Sequence, residues 1–325
     1  MANKLTASLS LDLDNKWSYL KTHGDPAWTA YPTYLPLVVP IVLETLAQHN
    51  FRITFMIVGR DTEEPANHAP LRAIADAGHE IGNHSYDHEP WMQDRDADTL
   101  ERELRRAHEA VAEVTGSAPV GFRGPGFAHS TTLLTAVQRM GYPYDASILP
   151  SFIGPLARAY YLTRSSMNRE ERNERRNLFG HISDAWKPLR PFAWRLGDGA
   201  LLEMPVTTIP LLRAPFHLSY LIWLSRFSET LAMAYLHLAL ALCRLTRTQP
   251  SFLLHPLDFL GAEDAPELHF FPGMDVARAR KLALVDRILA TLGRQFEVVP
   301  MGEHARRLRA RPLREMVPPD TAASA

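Results

Sequence analysis

One cysteine in 325 residues removes two chemistries at once. Cys243 has no partner for an internal disulfide, and a zinc site built on thiolates needs more than one. Any metal this chain holds must sit on His, Asp or Glu. An excess of charge is missing too: 35 Lys and Arg stand against 36 Asp and Glu. No global field therefore draws nucleic acid or another polyanion, and no nucleic-acid partner is expected. Long apolar runs are absent. A bilayer span needs ~20 apolar residues, and the stretch that comes nearest, Pro215 to Leu245, is broken by Arg226 and Glu229. The opening MANKLTASLSLDLD has no apolar stretch of signal-peptide length, and its strand-like pattern starts by Leu5. A cytoplasmic protein is expected from that.

What is present is alternation. Strand-like runs such as LTASLSLDL, FRITFMIVG and PSFLLHPLDF take turns with helical runs such as LVVPIVLETLAQHN and DADTLERELRRAHEAVAEVTG. The second helical run opens on an acidic turn and stops at Gly116. Strands separated by helices argue for parallel βα units. Roughly seven of them argue for a closed or nearly closed α/β barrel, with a doubly wound open sheet as the alternative. APVGFRGPGF is expected as a strand running into a Gly/Pro turn, and DNKWSYLKTHGDPAWTAYPTY as a loop over the site. A single catalytic domain is expected over residues 1–311, with a disordered tail at 312–325. Two segments break the rhythm: a basic, aromatic insertion at 152–195 and an apolar helical segment at 215–245.

The stretch HEIGNHSYDHEPW places His84 and His88 four residues apart, which suits two imidazoles on one metal. His-x-x-x-His alone is a weak signal, and it gains weight from other strand ends. Asp12 and Asp14 are two apart on the first strand and so face the same way. Two carboxylates on a strand otherwise made of Leu and Ser are costly unless something cationic meets them. Arg123 in GFRGPGF and His255 in SFLLHPLDF occupy corresponding strand ends, where active sites of α/β barrels form.

In order and spacing, LSLDLD, NHSYDH, FRGPGF and FLLHPLDF resemble the motifs of the polysaccharide deacetylase family (NodB homology, carbohydrate esterase 4), over about Leu5 to Phe259. The resemblance implies a distorted (β/α) barrel of about seven strands. It makes Asp14, His84 and His88 ligands of a divalent metal, usually zinc (Zn2+). Asp12 becomes the general base, Arg123 the residue that positions it, and His255 the general acid. Two departures stand out: the first motif is Asp-Leu-Asp where many members have adjacent aspartates, and the third lacks the usual aromatic after the proline. The Phe127 N–H is then the expected oxyanion donor. Glu203 and Asp145 are the two candidates for the acidic residue that orients His255. Trp17, Tyr19 and Trp28 could stack on sugar faces.

The implied activity is removal of an N-acetyl or N-formyl group from an amino sugar. A cytoplasmic location points to a lipid-linked or other intracellular glycan precursor. The insertion and the apolar segment suit a peripheral position on the inner face of the membrane, as in the similar lipid-linked aminoarabinose deformylase, or else a homo-oligomer interface. Two alternatives are an intracellular amidohydrolase of cyclic amides, imides or allantoin, and a non-catalytic glycan-binding member.

Overall fold

The Leu/Ser alternation of LTASLSLD makes strand β1 (Leu5–Asp12), which is buried from Thr6 to Asp12. A strand buried on both faces needs parallel neighbours sheathed in helices, and β1 has both. The computed structural model of the chain describes residues 4–152, 154, 182–197 and 199–318. In it β2 (Thr54–Ile57) runs parallel to β1 in the register Ser10↔Thr54, and β3 (Glu80–Asn83) lies beyond β2. Phe122 then bridges Asn83 on one side and Asp145 on the other. Next comes β4 (Tyr144–Asp145). β5 (Phe192–Leu196) pairs antiparallel with β6 (Gly199–Glu203), and β6 pairs in parallel with β4. β7 (Ser251–Leu254) returns to β1 in the register Leu11↔Leu254, and β8 (Phe296–Val299) covers the first half of β1. Beyond β6, the Thr207 N–H donates to the Ser251 carbonyl at 3.0 Å. Thr207 Oγ1 accepts the Ser251 N–H at 2.8 Å. These two bonds bring the far strands back to β7, giving a distorted α/β barrel.

Helices sheathe the ring. α1 (Lys16–His23) starts where Asn15 Oδ1 accepts the Lys16 N–H at 2.8 Å. α2 (Leu35–Gln48) buries Val38, Val42 and Leu46, and α3 (Pro65–Asp76) buries Leu71 and Ile74. α4 (Ala97–Thr115) is capped by Asp96 and ends at Gly116, whose φ of 72° favours glycine. α5 (Thr131–Arg139) follows. The apolar segment becomes two helices, α6 (Leu218–Ser225) and α7 (Glu229–Leu245), because Ser228 caps a new start. α8 (Arg278–Gln295) buries Leu284, Ile288 and Leu292, and α9 (Met301–Arg309) follows β8. Among the described residues, no helix is long and apolar enough to cross a membrane. Leu9, Leu11, Phe55, Leu254 and Leu289 join one fully buried core, where each such side chain contributes roughly 1.5–3 kcal/mol.

Four expectations need correction. The run APVGFRGPGF supplies one bridging residue, Phe122, rather than a strand. A Cβ on Gly121 would lie 2.1 Å from the Tyr144 ring, and one on Gly124 2.2 Å from the Ala128 carbonyl oxygen, so this stretch turns in tight quarters. Part of the expected loop after the first strand is helix α1. Residues 192–196 of the expected insertion are a sheet strand, while residues 153 and 155–181, with most of its arginines, lie outside the described residues. The tail expected to be disordered from residue 312 contributes β9 (Glu315–Met316), paired with β5 through Trp194↔Met316; residues 319–325 lie outside the described ones.

Candidate metal centre and active site

The C-terminal ends of β1 and β3 deliver the metal-type residues. Asp12 closes β1 and Asp14 stands just beyond, with the Leu13 N–H on the Met56 carbonyl at 2.9 Å. His84 follows β3 and extends its ladder, donating its N–H to the Ile57 carbonyl at 3.0 Å. The chain then turns sharply, with positive φ at Ser85 (62°) and His88 (46°). Local bonds hold this turn. Asn83 Oδ1 accepts the Ser85 N–H, Ser85 Oγ accepts the His88 N–H, and Glu103 Oε1 on α4 accepts both the Tyr86 and Asp87 N–H groups. The two histidines thus share a loop, not a helix face.

Asp14 Oδ1 lies 2.9 Å from His88 Nε2 and 3.3 Å from His84 Nε2. All three side chains are buried, and their donor atoms fall within 4.8 Å of one another. His84 Nδ1 is 2.7 Å from the Arg123 carbonyl oxygen, which only accepts, so Nδ1 carries a hydrogen. In the neutral ring, Nε2 then presents a lone pair to the Asp14 carboxylate. Two lone pairs at that distance repel unless a cation lies between them, and a backbone carbonyl behind a histidine is the support that metal-binding imidazoles take. The residues therefore fit a divalent ion. His88 lacks that support: its Nδ1 is buried and finds no hydrogen-bond partner among the described residues. Burial pushes the Asp14 carboxyl up, but His88 first, and then His84, outweigh it and hold it well below the usual carboxylate range. Burial dominates at His88 and depresses it. At His84 the carboxylates of Asp12 and Asp14 overcome burial and raise it.

Asp12 meets Arg123, whose Nη1 donates to Asp12 Oδ1 at 2.6 Å and to Ser10 Oγ at 2.8 Å. Arg123 Nε donates to the Ala146 carbonyl at 2.9 Å. The register Leu11↔Leu254 sets His255 beside Asp12 at the ends of adjacent parallel strands. The structure thus brings Asp12, Asp14, His84, His88, Arg123 and His255 to one end of the barrel.

Other expected residues are placed differently. Asp145 and Glu203 do not orient His255. Asp145 accepts the Ser147 hydroxyl at 2.7 Å, and that oxygen accepts the Gly124 N–H at 2.8 Å. Glu203 accepts the Trp194 indole N–H at 2.9 Å, and burial, then the neighbouring Asp145, drive its carboxyl far above the usual range. The pair holds the loop that carries Arg123. The Phe127 N–H is committed to the Gly124 carbonyl at 3.0 Å, which removes it as an oxyanion donor. Trp17 is 1% exposed, donates to Asp61 Oδ1 at 2.7 Å and sets its ring edge-on to His88, 6.3 Å between centroids. It braces a metal-type residue instead of stacking on a sugar. Tyr19 is buried against Phe271. Trp28 is half-buried beside Tyr31, with the Lys21 ammonium over its ring at 5.2 Å.

Sequence reasoning missed a supporting layer. Tyr34 donates its hydroxyl to the Asp14 carbonyl oxygen. Asp61, pushed up to about 7 by burial, takes hydrogen bonds from Asn15 and Trp17. Neither has a sequence signal, since each is an ordinary residue brought in by the turns around α1. Ser219 and Asp258, beside His255, were missed as well.

Part of the chain has counterparts in known proteins. Residues 25–144 match the family model of polysaccharide deacetylases. A chitooligosaccharide deacetylase of Azorhizobium caulinodans is 36% identical over 117 residues, 35% of this chain and 54% of that protein. A peptidoglycan deacetylase of Helicobacter pylori is 25% identical over 159 residues, 48% and 53%. The chain spans about half the length of these curated relatives. A solved structure from Mycobacterium smegmatis, described as a polysaccharide deacetylase, covers 98% of this chain and 96% of its own at a TM-score of 0.62 and 22% identity, and so shares the fold. Over residues 25–144 the chain is thus similar to polysaccharide deacetylases.

Proposed function

We propose that this protein hydrolyses the N-acyl amide of an amino sugar, with a divalent metal, zinc by expectation, held by Asp14, His84 and His88. The observation that carries the reading is the convergence of these three side chains within 4.8 Å, directly beside the Asp12–Arg123 pair. The matched relatives are named for chitooligosaccharide and peptidoglycan, which makes an N-acetylated amino sugar the substrate class. A metal bound there would polarise the amide carbonyl and acidify a water. Asp12 takes the proton of the attacking water, and Arg123 holds that carboxylate in place through its 2.6 Å hydrogen bond. The water oxygen bonds to the carbonyl carbon. The C–N bond then breaks as His255 hands a proton to the nitrogen, because an amide nitrogen leaves far more readily as a neutral amine than as an anion. The test is release of primary amine from N-acetylated chitooligosaccharides by metal-loaded protein, with a cyclic amide as control. Amine release that stops on chelation supports the reading; turnover of the cyclic amide alone points to the amidohydrolase instead.

A second observation favours a substrate presented at a lipid surface. Phe152 follows β4, and Leu211 and Leu212 follow β6 in the chain. They are 43%, 79% and 57% exposed, and Trp186 is 73% exposed. Arg213 donates to the carbonyls of Ala185 and Lys187, and Phe152 meets the Trp186 ring edge at 5.4 Å. These contacts gather the four into one apolar patch, suited to the headgroup boundary of the inner leaflet and to a lipid-linked amino sugar.

A further inference from the structure

Among the described residues no carboxylate hydrogen-bonds the His255 ring, although its role as proton donor calls for one. The two acidic residues expected to supply it, Asp145 and Glu203, are spent on Ser147, Ile148 and Trp194. His255 Nδ1 instead meets Ser219 Oγ at 3.0 Å, reached from the first turn of α6. Asp258 lies near enough to Ser219 for the hydroxyl to favour its charged form, and Asp258 Oδ2 accepts the His255 backbone N–H at 2.8 Å. We propose that Ser219 and Asp258 form a relay that positions His255, a serine hydroxyl bridging the imidazole to a buried carboxylate three residues along the chain. The proposal deepens the hydrolase reading, since it rests on His255 being the proton donor.

The proton directions follow from the donors available. Serine has a single hydrogen to give. An ionised Asp258 only accepts, so it takes that hydrogen, and the Ser219 oxygen is left to accept from Nδ1–H. The ring is fixed with its other nitrogen, Nε2, free to carry and release the proton. Once Nε2 is protonated, the second N–H of the cation lies on a chain that ends in a negative charge. Burial prevails at Asp258 and raises its carboxyl above the ordinary value, against the pull of the His255 charge, Ser219, the His255 N–H and Lys281. Lys281 is buried, and its Nζ donates to the Leu257 and Leu260 carbonyls at 2.7 and 2.6 Å, clamping the turn that carries Asp258. Asp12 stands at the end of the adjacent strand, and His217 lies 6.2 Å away ring to ring. Burial, then His255, push His217 down to about 3, so it stays neutral and adds no competing charge.

The tautomer can be read without substrate. Long-range ¹H–¹⁵N spectra of the imidazole rings, with His255 identified by its loss in His255→Gln, should show the Nδ1–H form in the wild type. Ser219→Ala should lose that preference, and Ser219→Thr, which keeps the hydroxyl, should restore it. An Nε2–H ring in the wild type, or spectra of Ser219→Ala that match the wild type, overturns the relay. The second readout is the pH profile of amine release. Ser219→Ala and Asp258→Asn should lower kcat about tenfold with KM little changed, and move the alkaline limb to lower pH. A limb that stays put, or a Thr variant as slow as the Ala one, also overturns it. If the spectra behave as expected but His255→Gln keeps its turnover, the relay stands and the acid assignment fails, so the two are judged separately.

Discussion

Arg123 Nη1 lies 2.6 Å from Asp12 Oδ1, with the arginine side chain fully shielded and the aspartate 6% exposed. A pair this deep is worth less as an attraction than it costs when halved. Removing one partner strands a buried charge, a loss of ~3–5 kcal/mol. Arg123→Met should therefore lower the urea unfolding free energy by about that amount, and adding Asp12→Asn to it should recover a large part. Asp12→Asn alone should keep its metal and lose roughly 10²–10⁴-fold in turnover, the range of general acid–base catalysis. Additive stability losses in the double variant would rule out the coupling, and near-normal turnover of Asp12→Asn would remove it as the base.

The metal set makes a separate claim. Purified protein should carry about one divalent ion per chain, and His84→Ala and His88→Ala should each lose it by elemental analysis. Replacing the carbonyl-supported His84 should be the more damaging, because its Nδ1–H bond to the Arg123 carbonyl fixes the ring. Full occupancy in both variants would dismantle the site.

The chemistry-bearing strand ends were legible because a carboxylate, arginine or histidine there breaks an otherwise apolar pattern. Direction was not legible. Asp145 and Glu203 sit at strand ends just as Asp12 does, and nothing in YDAS or LLEMP says that they face Trp194 and the Ser147–Gly124 link rather than His255. Trp17 looked like a sugar platform because the Asn15 cap, which starts a helix and turns the indole inward, is one short polar residue in a loop-like stretch. Ser219 was hidden in the apolar run HLSYLIW, where a serine reads as filler. The barrel was legible from alternation. The two-residue β4 and the Phe122 bridge were not, because pairings so short leave no period to detect.

Acid stability should depend on His304. Its ring is buried between Ser8 Oγ and Gln249 Oε1, at 3.0 and 2.8 Å. Burial, then Arg307, lower it to about 4, below the ordinary 6.5 of the unfolded chain. Between those values the unfolded chain binds the proton and the fold does not, so stability falls as pH drops from about 6.5 towards 4, at most by ~1.4 kcal/mol per pH unit for this residue. His79, lowered to about 4, acts in the same direction. Urea titrations across that window should show a shallower slope in His304→Gln, which keeps a hydrogen-bonding side chain but has nothing to titrate. Equal slopes in the two proteins would place the acid sensitivity elsewhere.

Attachment to lipid is the last expected outcome. Trp186, Leu211 and Leu212 are large apolar side chains left exposed, an apolar surface suited to burial in lipid. The arginine-rich sequence between residues 158 and 176 would add attraction to anionic lipid of about 1 kcal/mol per side chain near the surface, weakened by salt. The full chain should float with anionic vesicles at low salt and less at high salt. Trp186→Ser combined with Leu211→Ser should reduce flotation at both salts, because it removes apolar burial and not charge. Reversing charge instead, with Arg172, Arg175 and Arg176 replaced by Glu, should act mainly at low salt. If the wild-type chain stays in the dense fraction at low salt, a soluble amino-sugar derivative becomes the better substrate.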